Sequence, residues 1–149
     1  MASDRILRIV NVVIPIAGIG LMIFYEVCDI SCSSLQGAFL GLDLKMIGLL
    51  FMVALLALLL PTSPRLAASV SHLRTMLLSG AAGGEILLVR FQVIHNTYCP
   101  FCLAFGSCIL VLTAANFAKM NKYLALVAFL AGIAAFALFF AGSVQPLYR

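Results

Sequence analysis

Apolar residues run along this chain in long unbroken stretches, without the short periods that mark a half-buried strand or a surface helix. A helix crosses the hydrocarbon layer of a membrane with roughly 20 mainly apolar residues. Five stretches approach that length: 6–25, 44–60, 73–94, 99–118 and 123–141. Polar positions gather in short connections between them and in one longer loop, 26–43. The pattern predicts an all-α integral membrane protein with five transmembrane helices in a single domain, 1–149, without internal repeats or linkers. The first stretch is too long for the apolar region of a secretory signal and has no small-x-small cleavage site before Cys28, so it is read as a retained helix.

Composition agrees. Hydrophobic residues make up 64% of the chain and charged residues 9%, with a mean hydropathy of +1.19. Water-soluble domains are near half apolar and a quarter charged, and disordered segments combine low hydrophobicity with high charge; both classes are excluded. The net charge of +4 comes from basic residues scattered in ones and twos, so no nucleic-acid patch is present. The charges instead speak to orientation. Arg5, Arg8, Arg65, Arg74, Lys119 and Lys122 fall on one side of the predicted bilayer. Glu26, Asp29, Asp43, Lys45, His95 and Arg149 fall on the other, with Arg90 close enough to its helix end to snorkel out. The first side is expected to be cytoplasmic, in an inner or plasma membrane, with the N-terminus inside and the C-terminus outside.

Four of the five cysteines form two close pairs, Cys28 with Cys32 and Cys99 with Cys102. Charge alone puts both pairs on the outer face, where disulfides persist. The second pair is a CxxC, Cys99-Pro100-Phe101-Cys102, at the start of a predicted helix. There the unpaired N–H groups and the positive end of the helix dipole favour thiolate, and Pro100 suits the first turn. This is the pattern of a redox-active dithiol. A static cross-link or a four-cysteine zinc site uses the same residues, although structural zinc normally belongs to a reducing compartment; no metal site is expected. Cys108 lies within the bilayer, turned away from Cys99, and reads as a small buried hydrophobe.

The stretch from Cys32 to Gly48, CSSLQGAFLGLDLKMIG, followed some fifty residues later by Tyr98-Cys99-Pro100-Phe101-Cys102-Leu103, resembles the vitamin K epoxide reductase family, especially its small bacterial members. The likeness runs from the first helix through the fourth, and the loop pair precedes the CxxC helix, whereas families of the disulfide bond protein B type carry CxxC first. The resemblance implies a four-helix bundle around a quinone of ubiquinone or menaquinone type, with one further helix peripheral. It implies that Cys102 is the thiolate facing the quinone, that Cys99 exchanges with Cys32, and that Cys28 meets an external thioredoxin-like protein of the disulfide bond protein A type. Only three residues separate Cys28 from Cys32, and no thioredoxin domain lies within the chain, so this redox partner is expected to be a separate polypeptide.

A membrane-embedded CxxC with no haem or flavin motif beside it independently points to a lipid-soluble electron acceptor. The apolar segment between Leu35 and Leu42, interrupted by Gly37 and Gly41, is expected to lie at the interface as a short amphipathic piece over the bundle mouth. In the third helix Glu85 follows a run of small residues near mid-bilayer, where a carboxylate costs roughly 2.5 to 3.5 kcal/mol on insertion scales. Gln92, on the same helical face, and His95 beyond it extend a path toward the surface. Glu85, Gln92, His95, Phe101, Leu35 and Phe39 are the expected quinone-lining residues. A soft-metal carrier passing an ion between cysteine pairs, and a membrane protein with permanent cross-links, are the competing readings.

Overall fold

The computed structural model describes residues 2–27, 35–60 and 64–144. Its helices are α1 (Ala2–Val27), α2 (Leu44–Ala57), α3 (Pro64–Ile94), α4 (Pro100–Asn116) and α5 (Lys122–Phe139). Three strands accompany them, β1 (Leu35–Phe39), β2 (Leu42–Asp43) and β3 (Phe140–Val144), with a 3-10 turn at Phe117–Lys119. Among the described residues four segments are long and apolar enough to cross a membrane: Arg5–Val27, Leu66–Ile94, Pro100–Lys119 and Lys122–Phe139. Their outward faces carry large apolar side chains such as Ile16, Ile23, Leu110, Leu126 and Leu130. Such a surface is compatible with a multi-pass membrane protein.

The second predicted span is shorter than expected. At 14 residues, α2 rises only about 21 Å, less than the roughly 30 Å of a hydrocarbon core. After Ala57 the chain tightens into i→i+3 bonds, Leu59 N–H to the Leu56 carbonyl and Leu60 N–H to that of Ala57. The third helix departs the other way, running 31 residues from Pro64 rather than from 73. Arg65, Ser71 and His72 interrupt the apolar run there without interrupting the backbone hydrogen bonds that define a helix.

An all-α fold is also corrected, because the chain builds a three-stranded antiparallel sheet in the order β2-β1-β3. Residues 35–42, expected as an amphipathic interfacial piece, form a hairpin in which Phe39 pairs with Leu42. Its two-residue turn places Leu40 at φ 53° and Gly41 at φ 79°. Positive φ at both positions matches the right-handed twist of the strands, and only the second residue is one that adopts it freely. β3 then pairs with β1 from Phe39↔Phe140 to Leu35↔Val144. The last two residues assigned to the fifth helix, 140 and 141, thus belong to β3. Pairing satisfies the backbone groups that an irregular loop over an apolar bundle would leave unbonded.

Neighbouring helices pack as a row, α2 on α1, α1 on α4, α4 on α3 and α3 on α5. A core of Met52, Leu55, Leu78, Phe105, Ile109 and Leu112 joins the middle of the row. Buried Asn11 and Asn116 exchange amide hydrogen bonds of 3.2 and 2.7 Å between α1 and α4. The α3–α5 contact depends on missing side chains: a Cβ on Gly132 would run into the Gly80 backbone, and one on Gly83 into the Phe129 carbonyl. Small residues of this kind let helix backbones approach closely. Residues of all five helices line one cavity, α5 reaching it from the end of the row, against α3.

Candidate active site

The cavity has a volume of about 650 Å³, within the usual range for small-molecule sites. Phe51, Met76, Leu88, Phe105 and Phe136 give it apolar walls. Gly48, Gly80 and Gly132 bring backbone to its surface, and Gly37, Ala38, Ala141 and Ser143 of the sheet cover one end. Its polar groups are few: Glu85, Cys102, Asp43 and Lys45 among them.

The CxxC sits where the sequence predicted, across the N-terminus of α4. Cys99 is the N-cap and Pro100 the first helical residue. The Cys99 sulfur accepts the Cys102 N–H at 3.3 Å, one of the helix's otherwise unpaired donors. Cys99 is 2% exposed and packs beside Tyr25, near the C-terminal end of α1. Hydrogen bonding from the Cys102 thiol, together with the Cys102 and Phe101 amides and Tyr25, outweighs burial and brings the Cys99 thiol down from 9.0 to about 6. Cys102 lines the cavity, and the lowering at Cys99 comes first from the Cys102 thiol and then from the first-turn N–H groups that its N-cap sulfur reaches.

Position along α3 sorts the polar residues. Glu85 is 8% exposed and lines the cavity. It lies against α4 one turn beyond Cys102, where a Cβ on Gly106 would stand 2.5 Å from its Oε2. Gln92 shares that face but lies about 10 Å further along the helix, beyond the cavity. Its buried Oε1 accepts the Cys99 N–H at 2.9 Å, so it anchors the CxxC rather than lining a ligand path. His95 is exposed, with Nδ1 3.0 Å from the Phe91 carbonyl and its ring 4.1 Å from that of Phe91. It does not reach the cavity.

Phe101 lines the cavity and packs on Tyr25, ring centroids 5.0 Å apart. Phe39 stands behind the wall, stacked at 4.7 Å on Phe136. Leu35 is placed by its backbone in β1, and its side chain, like all of Cys28 and Cys32, lies outside the described residues. Cys108 is half-buried against the core. No group of three or more His, Cys, Asp or Glu among the described residues is arranged to hold a metal ion.

Several residues of the site were not singled out from sequence. Tyr25 approaches Cys99, and Lys45 Nζ lies 5.3 Å from the Tyr25 ring centroid while pairing with Glu26 at 2.9 Å. Gly132, Ala135 and Phe136 come from the helix expected to be peripheral. A lysine and a glutamate flanking a loop that leads to a dithiol was the available signal for Lys45. Nothing local marks Gly132 or Ala135. A scan against protein-family models, a search of curated proteins and a search of solved structures each gave no match to this chain.

Proposed function

We propose that the chain is a quinone-dependent thiol-disulfide oxidoreductase of the vitamin K epoxide reductase type, embedded in an inner or plasma membrane. The observation that carries this reading is a CxxC across the start of one helix, with Cys102 lining an apolar cavity and the sulfur of its partner Cys99 accepting the Cys102 N–H. The apolar, partly glycine-lined space suits an apolar ring, and its few polar groups suit the ring's oxygens. When bound, a quinone supplies a two-electron, two-proton acceptor.

The residues divide the work. Cys99, buried beside the last turn of α1, is on the side from which the Cys28–Cys32 loop departs, and its stabilised anion makes it the better leaving sulfur in exchange with Cys32. Cys102 faces the cavity. Glu85, also facing it, is positioned to hold or release a proton. Electrons then pass from an exported thioredoxin-like protein through Cys28 and Cys32 to Cys99 and Cys102, both pairs lying on the periplasmic or extracellular face. Oxidation of the partner's dithiol to a disulfide releases the two electrons and two protons the acceptor takes up.

The test is reconstitution of the full chain in liposomes with a ubiquinone or menaquinone and a reduced thioredoxin-like protein. Quinone absorbance and partner thiols are to fall together, one quinone per disulfide formed. Cys99→Ala and Cys102→Ala are each to abolish the coupling; persistence of coupling in either variant refutes the assignment.

A further inference from the structure

A second pocket, of about 510 Å³, opens at the end of the bundle opposite the sheet. It lies among the N-terminal part of α1, the C-terminal end of α2, the early turns of α3 and the end of α4. Three cations from three elements converge on it, Arg8, Arg74 and Lys119, and no carboxylate lines it among the described residues.

The neutral polar groups around it are already engaged. Asn11 and Asn116 bond each other, and the Thr75 hydroxyl donates to the Ser71 carbonyl at 2.9 Å. Arg74 differs. It is half-buried, projects from the third turn of α3, and none of its N–H donors finds an acceptor among the described residues. A guanidinium offers five donors in a planar fork that matches the oxygens of a phosphate group. Withdrawing it partly from water without an acceptor is unfavourable. The opposite wall, Leu58 and Leu59, is apolar, so the pocket joins a cationic base to an oily flank at a helix-bundle rim.

We infer that this pocket binds a phosphate group, gripped by Arg74 in two-pronged fashion and held in the field of Arg8 and Lys119. Two sources share that chemistry, the headgroup of an anionic phospholipid and a soluble phosphate. Basic pockets between apolar helices recognise lipid headgroups by the same forces. The inference is independent of the redox reading, because none of these residues touches the CxxC or its cavity.

The purified full-length protein in neutral detergent is to be examined by native mass spectrometry with phosphatidylglycerol or phosphatidylcholine added, with and without inorganic phosphate. Phosphatidylglycerol is expected to be retained preferentially, and Arg74→Gln to reduce retention about tenfold. Arg8→Gln, an exposed substitution that leaves packing intact, is to reduce it several-fold, while Arg5→Gln, outside the pocket, leaves it unchanged. Binding of phosphatidylglycerol undisturbed by millimolar phosphate identifies the lipid headgroup; displacement by phosphate, or binding of phosphate alone, identifies a soluble source. Equal retention of the two lipids with no phosphate binding overturns the inference, as does equal retention by the Arg8→Gln and Arg5→Gln proteins.

Discussion

Gln92 is where the geometry of the CxxC is most exposed to a single change. Its Oε1 is the acceptor for the Cys99 N–H, at 2.9 Å in a buried setting, and the residue is 2% exposed. Leucine has nearly the same volume, so Gln92→Leu removes the acceptor without opening a void. The Cys99 N–H is then left buried and unpaired, which costs about 1–3 kcal/mol. The chain can recover part of that only by moving Cys99 toward water, away from the Cys102 N–H that its sulfur now accepts. Equilibrium unfolding in detergent is therefore expected to show a loss of about 1–3 kcal/mol, together with a rise of the Cys99 titration midpoint. Gln92→Glu separates the two effects: while protonated it retains an acceptor and stability falls less than in Gln92→Leu, whereas its ionisation at higher pH buries a charge, which destabilises the fold and opposes a neighbouring thiolate, raising the midpoint. If Gln92→Leu unfolds like the parent protein and leaves Cys99 titrating at the same pH, the side chain is not what holds the dithiol in place.

Two further outcomes follow from the same structure. Thiolate absorbance of the reduced protein is expected to rise through a midpoint of about 6, so the anion is present above that pH and lost as pH falls through it; disulfide exchange should slow in the same window. Cys102→Ala, which deletes the largest stabilising contact, is to return the midpoint toward 9.0, and a midpoint near that value in the parent protein would contradict the stabilisation of Cys99 by the Cys102 thiol. For helix packing, Gly132→Ala sets a Cβ against Gly80 backbone, with the Gly80 Cα at 2.9 Å. α5 must then retreat from α3 at a cost of about 1–3 kcal/mol, partly offset by about 1 kcal/mol of helix propensity. Gly20→Ala, which meets nothing within 4 Å, keeps only the gain. Unfolding free energies that rank Gly132→Ala at or above Gly20→Ala would show that the α3–α5 contact does not require glycine.

Long apolar runs, the positions of four membrane-length helices and the placement of a CxxC at a helix start could all be read from the chain, because each depends on local composition or on spacing along one helix. Phe101 and Cys102 could be placed together in the first turn of one helix and Glu85 within the one before it, but that all three line one cavity depends on how α3 packs against α4. The sheet as a whole was not legible: β1 and β2 pair locally through a two-residue turn, but β3 lies about a hundred residues from β1 and reaches it only when the helices bring the two together. Gln92 shows the limit most clearly. Its helical face was read correctly, but its partner, the Cys99 amide, is set by how far α3 extends past the start of α4. The contact of the Cys99 sulfur with the Cys102 N–H likewise turned on a single N-cap, and the cavity on five helices closing around glycines. Those are relations between elements, and only packing in three dimensions fixes them.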